Sequence, residues 1–408
     1  MPPSALADKL DALVERLSKV AQDVRAGVVS LETDTPRRMG VAQVGTELIN
    51  TVTLPEDQIH LFLPQLVHLT AVRVFIEWNG FDAIPQEDGA TISYADLAAK
   101  IGGDPSLITR IARTLVANNT LKQVQTDHVA HTAYSRLLAT PPHRAVLKLE
   151  FDDYLASFLS LPRYFARFGL RDPTDRLQTP LAFAQDRLGA SAWDIWNSDP
   201  ERLAGFMMTM TVMEAWAPAR NPYDFGWVAQ HPAAAKDGAE RVLLVDVGGG
   251  RGHALGRILR ENPGIEGRRC VLEDLKEVVG EVERERGEGL EGVRLVGMDF
   301  HAEQPVKNAL VYHIRRCLHD YSDDESVAIL RRLADAMAPD SRLLIVELII
   351  SDPPSAYQAA LDLTMMVISG KERTLATWRD IVARAGLKIT HVDVVEGGSG
   401  VVECMLGD

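Results

Sequence analysis

The stretch Arg241-Val-Leu-Leu-Val-Asp246-Val-Gly248-Gly-Gly250-Arg-Gly252-His253 decides the fold. A continuous apolar run that ends in an acid and then in glycines at alternate positions reads as a buried strand entering a tight loop. GHALGRILREN continues it as a helix. The loop fails the dinucleotide fingerprint GxGxxG, because the last position is His253 when counted from Gly248 and Leu255 when counted from Gly250. It fits D-x-G-x-G-x-G. Alternate glycines permit positive φ and let a ligand lie on bare backbone, and the helix start offers free N–H groups to a carboxylate. Asp246, Gly248 and Gly250 are therefore candidate cofactor-binding residues. An acid that holds ribose hydroxyls is expected at the end of the next strand. Asp274, in VLEDL, stands 22 positions after Gly252.

Downstream the alternation continues. RRCVLEDL, VRLVGMDF, NALVYHIRRCL and SRLLIVELII read as strands, DESVAILRRLADAM and TWRDIVARAGL as helices, and ITHVDVVE and VVECMLG as two final strands. Val/Leu/Ile runs punctuated by helices imply an α/β fold with a doubly wound, Rossmann-like parallel sheet covered on both faces. Its chemistry belongs in the loops beyond the carboxyl ends of the strands.

Upstream the chain reads as mainly helical. Leu6, Leu10, Leu13, Leu17 and Val20 recur at helical spacing, a looser passage follows from Thr33 to Pro55, and helical periodicity returns from Gln58 to Phe81. Between Thr91 and Pro141 the order is helix, Gly-Gly-Asp-Pro break, helix and short hairpin, a winged-helix pattern. Six basic and three acidic residues between Thr91 and Arg144 give it a net charge of +3, a weak footprint for DNA. From Leu147 to Trp227, Trp193, Trp196, Trp216, Phe206, Met207, Met208, Met210 and Met213 crowd helical segments. Methionine at such spacing is core or the adaptable lining of a pocket for flat organic ligands. AQHPAAAKDGAE reads as a linker, which places the boundary between residues 1–230 and 231–408.

The 408 residues carry 43 basic and 57 acidic side chains, a net charge of −14 that repels polyanions and argues against nucleic acid or anionic membrane as partner. There is no stretch of about 18 uncharged apolar residues of the kind that spans a bilayer. Cys270, Cys317 and Cys404 are too few and too scattered for a disulfide framework, so a reducing, cytoplasmic setting is expected.

Asp246–Gly252, DLKEVV at Asp274–Val279, GMDF at Gly297–Phe300, LHDYSDDE at Leu318–Glu325 and GKERT at Gly370–Thr374 together resemble the ordered motifs of S-adenosylmethionine-dependent O-methyltransferases. The likeness is to the plant caffeic-acid enzymes and the fungal enzymes acting on polyketides, and it spans nearly the whole chain. It implies S-adenosylmethionine as cofactor, a phenolic or enolic hydroxyl on an aromatic small molecule as methyl acceptor, and a homodimer formed through the winged-helix region. The first domain then serves dimerisation and as a substrate lid, and the amphipathic N-terminal helix is expected to cross between subunits.

A phenol is mostly protonated at neutral pH, so methyl transfer to its oxygen needs a base, most often histidine. His319 follows a buried strand at the expected edge of the sheet and occupies the base position of the L-H-D motif. Glu347, inside LLIVELII, is a carboxylate where an unpaired charge would be costly, so it requires a partner. The resemblance puts Glu347 and Glu372 beside the base; by its sequence alone, Glu372 reads as a surface charge paired with Lys371 or Arg373. By position, Asp299 and Phe300 are expected at the adenine, with Arg315 and Tyr321 where plant enzymes carry Lys and Trp. Asp320, Met207, Met210, Met365 and Met366 are candidates for the acceptor pocket. The acidic run Asp323-Asp324-Glu325 tempts a metal assignment, but Ser322-x-x-Glu325 is a capping box, and no metal is expected. His131 is expected to be structural. It is also a pocket candidate, because some fungal proteins of this family keep the cofactor yet catalyse dehydrations or pericyclic rearrangements with residues from that region.

Overall fold

The Val/Leu/Ile runs of the second half form one sheet. In chain order the strands are a wing of β1 (Ile92–Ser93), β2 (Leu121–Gln125) and β3 (His128–His131), then β4 (Leu244–Val247), β5 (Cys270–Asp274), β6 (Arg294–Gly297), β7 (Val311–Arg315), β8 (Arg342–Ile350), β9 (Arg373–Thr374), β10 (Leu387–Val394) and β11 (Ser399–Leu406). The computed structural model describes residues 3–32, 35–215, 223–234, 241–394 and 399–407. The large sheet has the order β10-β11-β8-β7-β4-β5-β6, with β9 joining β8. β4 through β8 run parallel, and β11 enters antiparallel against β8. Every residue of β4 is buried, because helices cover both faces. One face packs Val245, Val247, Tyr312 and Ile314, and the other Leu244, Leu272 and Val311. Each such fully buried side chain contributes about 1.5–3 kcal/mol of apolar burial.

The contacts divide the chain into two compact units, Met1–Lys148 and Leu149–Asp408. This division lies well upstream of the 230/231 boundary read from composition. Among the described residues of the supposed linker, Ala229, Ala233 and Ala234 are partly buried against the cluster that contains Leu244 and Leu310, next to the fully buried Val228. The helices after residue 149 join the second unit because Leu149, Tyr154, Leu181, Trp196 and Phe206 share a buried cluster with Val367 and Ile368. Residues 235–240 of the linker, and Trp216, lie outside the described residues.

The first unit begins with helix Pro3–Arg25, as the leucine spacing predicts. The passage from Thr33 to Pro55 is not loose; it contains helix Thr35–Val52. This helix is only weakly amphipathic, and its order comes from packing on the first helix, with Leu13 and Val44 buried and Arg16 Nη1 2.5 Å from Glu47 Oε2. Helix Gln58–Glu77 follows. The run Pro55–Glu77 is, by length and composition, apolar enough to cross a membrane. Asp57 and Arg73 bound its uncharged stretch at residues 58–72, which is shorter than the roughly 18 residues that span a bilayer. Ile59, Phe62, Leu63 and Leu66 are exposed on it.

The winged helix forms as read. Ser93 and Asp104 cap helices Tyr94–Ile101 and Pro105–Ala117 through their side chains, and the strands order β1-β3-β2. Arg113 lies over the Tyr94 ring at 5.9 Å, so this arginine serves its own module.

Candidate active site

After β7 the chain turns sharply at Arg316, in left-handed conformation, into the short turn Leu318–Asp320 that carries His319. Three neighbours hold this turn. Glu347 Oε1, on β8, accepts from the backbone N–H of Cys317 at 3.0 Å and of Leu318 at 2.9 Å. Arg373 is 1% exposed and donates to the carbonyls of Leu318 (2.9 Å) and Tyr321 (2.7 Å) while pairing with Asp323 at 2.8 Å. Lys371 N donates to the His319 carbonyl at 2.7 Å, an approach that Gly370 permits because a Cβ there would collide with the same carbonyl.

The imidazole is therefore fixed from behind. His319 Nδ1 lies 2.8 Å from Glu372 Oε1 and 3.7 Å from Glu347 Oε2, and Nε2 lies 3.6 Å from Asp320 Oδ1. The hydrogen bond to Glu372 puts a proton on Nδ1, so in the neutral ring Nε2 is the nitrogen with the free lone pair. Burial alone lowers the affinity of His319 for a proton, but the carboxylates of Glu347, Asp320 and Glu372 outweigh it and raise the pKa to about 10. Burial also pushes Asp320 up to about 6 and raises Glu347, each moderated by the histidine.

The two glutamates are both buried, but their tasks differ. Glu372 makes the hydrogen bond to the imidazole, and Glu347 is primarily the acceptor that closes the backbone turn. The surface reading of Glu372 fails because Lys371 pairs with Asp172 and Arg373 with Asp323. The ligand atoms of His319, Glu347 and Glu372 fall within 4.8 Å of one another. Ligand atoms on a tetrahedral zinc with bonds of about 2.0 Å stand about 3.3 Å apart, so an ion would have to open the 2.8 Å hydrogen bond. The acidic run is consumed structurally: Asp323 pairs with Arg373, Asp324 with Arg384, and Glu325 completes the capping box with Ser322.

At the glycine loop, Gly250 N donates to Asp274 Oδ2 at 2.7 Å, and Leu275 N to Oδ1 at 2.8 Å. Gly248 has φ +65°, and a Cβ on it would stand 2.8 Å from Cys317 Sγ and 3.2 Å from the Phe300 ring. The loop, the His319 turn and the GMDF segment thus come together at Gly248. Tyr321 meets Phe300 edge-on at 5.8 Å.

A model of the O-methyltransferase domain matches residues 233–388, and one of the O-methyltransferase dimerisation domain matches residues 64–141. The chain is 34% identical to methyltransferase cfoD of Aspergillus candidus over 97% of its own length and 98% of the relative's. The chain belongs to the S-adenosylmethionine-dependent O-methyltransferase family. Among solved structures, OxaC in complex with sinefungin and meleagrin shares the fold with a TM-score of 0.84, 22% identity and full coverage of both chains. A chain described as a pericyclic reaction enzyme shares it with a TM-score of 0.81 and 22% identity, over 96% of this chain and all of the other.

The cofactor of this O-methyltransferase is S-adenosylmethionine, and the site's chemistry fits a sulfonium. The backbone at Gly250 is open, with nothing where a Cβ would stand, and the carboxylates of Asp320, Glu347 and Glu372 surround a single imidazole. Asp246 is placed differently from the expectation of direct contact. It is 1% exposed beneath the loop, with Oδ1 2.7 Å from His313 Nδ1 and Oδ2 buried without a hydrogen bond. Asp299 is exposed and its Oδ1 accepts from His301 N at 2.8 Å, while Phe300 and Arg315 are half-buried. Met207 and Met365 pack against the cluster of Trp196 and Val367, Met366 is half-buried, and Met210 is 38% exposed. His131, in the first unit, is 7% exposed with both nitrogens engaged, Nε2 by Gln86 at 2.9 Å and Nδ1 by Ser135 at 2.8 Å.

Sequence reasoning missed Arg373, and it missed Asp362, which accepts from Glu372 N at 3.0 Å. It also missed His301, whose ring meets Tyr321 edge-on at 4.7 Å. An arginine inside GKERT was the one signal available for the first.

Proposed function

We propose that this protein transfers the methyl group of S-adenosylmethionine to a phenolic or enolic hydroxyl of an aromatic, polyketide-like small molecule in secondary metabolism, with His319 as general base. The observation that carries the reading is the 2.8 Å hydrogen bond from His319 Nδ1 to buried Glu372, which leaves Nε2 to accept a proton. The cofactor supplies the electrophilic methyl. Nε2 takes the acceptor's hydroxyl proton as its oxygen attacks, Glu372 stabilises the imidazolium, and Glu347 and Arg373 hold the turn in register. The surrounding carboxylates raise the affinity of His319 for the proton it takes, and the ring acts as base in its neutral form.

Gly248, Gly250, Asp274, Asp299, Phe300, Arg315 and Tyr321 are assigned to the cofactor by position, and Asp246 acts by supporting the loop from below. Asp320, Met207, Met210, Met365 and Met366 are assigned to the acceptor side. The test is release of S-adenosylhomocysteine in proportion to methylated product from a panel of hydroxylated anthraquinones, xanthones and pyridones. A cofactor-retaining rearrangement is the other reading of this fold. The engagement of both His131 nitrogens by Gln86 and Ser135 weighs against a catalytic role for that residue.

The dimerisation domain supports a homodimer, and the exposed Ile59, Phe62, Leu63 and Leu66 are the surface we assign to it. Three free, buried cysteines suit the cytoplasm.

A further inference from the structure

The segment Leu149–Leu155 is a π-helical turn, a rare conformation that recurs at functional sites. It is anchored on one side by Asp153, which is 2% exposed and accepts from Trp196 Nε1 at 2.9 Å and from Arg202. Two of its polar side chains are unspent. Tyr154 is 6% exposed, and neither its hydroxyl nor the half-buried carboxylate of Glu150 has a hydrogen-bond partner among the described residues. Four positions apart, the two side chains stand one turn from each other on the same side.

That side looks toward the chemistry. Tyr154 packs in the cluster of Val367 and Ile368, with Met365 against it, and this segment leads within five residues to Glu372. Leu181 N donates to Val367 O at 2.9 Å, and Gly370 N to Met365 O at 2.9 Å, so the helical region and the Glu372 loop are tied together at this point. Burial raises the Tyr154 hydroxyl, and the charges of Glu150 and Asp320 add to the effect. Burial likewise pushes the Glu150 carboxyl up. The Tyr154 hydroxyl can therefore hydrogen-bond a ligand without giving up a bond within the protein.

We infer that Glu150 and Tyr154 are specificity-determining residues of the acceptor pocket, where they hydrogen-bond an O–H or N–H donor on the acceptor remote from its reacting oxygen. The inference rests on the methyl-transfer reading only for where the acceptor lies. Glu150 and Asp320 make this side of the pocket electronegative, so it selects neutral or cationic donor groups and rejects carboxylates.

The test uses four one-ring probes, benzylamine, benzyl alcohol, toluene and benzoate, titrated into the full-length protein saturated with S-adenosylhomocysteine and followed by saturation-transfer NMR. Wild type is expected to bind benzylamine and benzyl alcohol at least tenfold more tightly than benzoate. Glu150→Gln should cut benzylamine affinity about tenfold and admit benzoate; Tyr154→Phe should cut the preference for benzyl alcohol over toluene severalfold. Equal binding of all four probes, no binding of any, or an unchanged order in both folded variants would overturn the assignment. No turnover is involved, so this result stands apart from the methyl-transfer reading, which the His319→Ala variant tests by product formation.

Discussion

His319 Nδ1 and Glu372 Oε1 are 2.8 Å apart in a pocket where the glutamate is 6% exposed. A buried carboxylate at hydrogen-bond distance fixes both the ring orientation and the tautomer, and it raises the ring's affinity for a proton. His319→Ala should lower kcat by at least about a hundredfold, and Glu372→Gln by about tenfold or more, with S-adenosylhomocysteine affinity unchanged in both. Single-turnover assays and calorimetric titration separate the two effects; loss of cofactor binding in step with loss of rate would assign these residues to the cofactor instead.

The proton affinity is directly measurable. In the protein without cofactor, the His319 imidazole should titrate near pH 10 by NMR, and Glu372→Gln should move the midpoint down by removing a raising influence. Because only the neutral ring accepts a proton, activity should climb with pH from 7 toward 10. A midpoint near 6.5 in wild type would show that the carboxylates do not act as described.

Arg373 explains why the turn stays in place. Arg373→Met would leave the carbonyls of Leu318 and Tyr321 and the one-third exposed Asp323 without their donor, a loss of about 1–3 kcal/mol from unsatisfied acceptors. Thermal denaturation should show it. Arg373→Lys, which retains the charge and loses the fork, should fold better yet still lower kcat.

Glu273 offers a stability test away from catalysis. It is fully buried on β5, with Oε2 receiving one hydrogen bond from Gln304 and Oε1 none, and burial raises its pKa to about 7. A carboxyl whose folded pKa lies above its unfolded value stabilises the fold while protonated, and that contribution is lost as pH rises from about 4.5 through about 7. Glu273→Gln should therefore stabilise the protein by on the order of 2 kcal/mol at pH 8 and have little effect at pH 4.5. Equal shifts in melting temperature at both pH values would contradict this.

The dimer surface can be tested by charge. Phe62→Asp, on the exposed face of helix Gln58–Glu77, should shift the sedimentation profile toward monomer without lowering the melting temperature of the winged-helix module. A dimer unchanged by this substitution would place the interface elsewhere.

Much of this molecule was legible in its sequence because the deciding signals are local. The apolar run before Asp246 and the alternate glycines after it specify a strand and a loop without reference to anything distant. The Ser322-x-x-Glu325 box likewise specifies its own cap. What failed depended on contacts between remote segments. Helix Thr35–Val52 carries little amphipathic pattern and is ordered by its neighbour, and Ala229, Ala233 and Ala234 look like linker until the sheet packs on them. Asp246 reads as a ligand contact because spacing cannot reveal that His313, 67 positions away, claims its carboxylate. Arg373 was passed over for the same reason: its partners at residues 318 to 326 come from another turn.

The most direct measurement is incubation of wild type and His319→Ala with methyl-labelled S-adenosylmethionine and the panel of hydroxylated aromatics, with mass analysis of acceptor and cofactor together. The base assignment predicts one labelled methyl on an acceptor oxygen for each S-adenosylhomocysteine released, and almost none from the variant although it still binds cofactor. Conversion of an acceptor with no S-adenosylhomocysteine released, or undiminished methylation by His319→Ala, would contradict it.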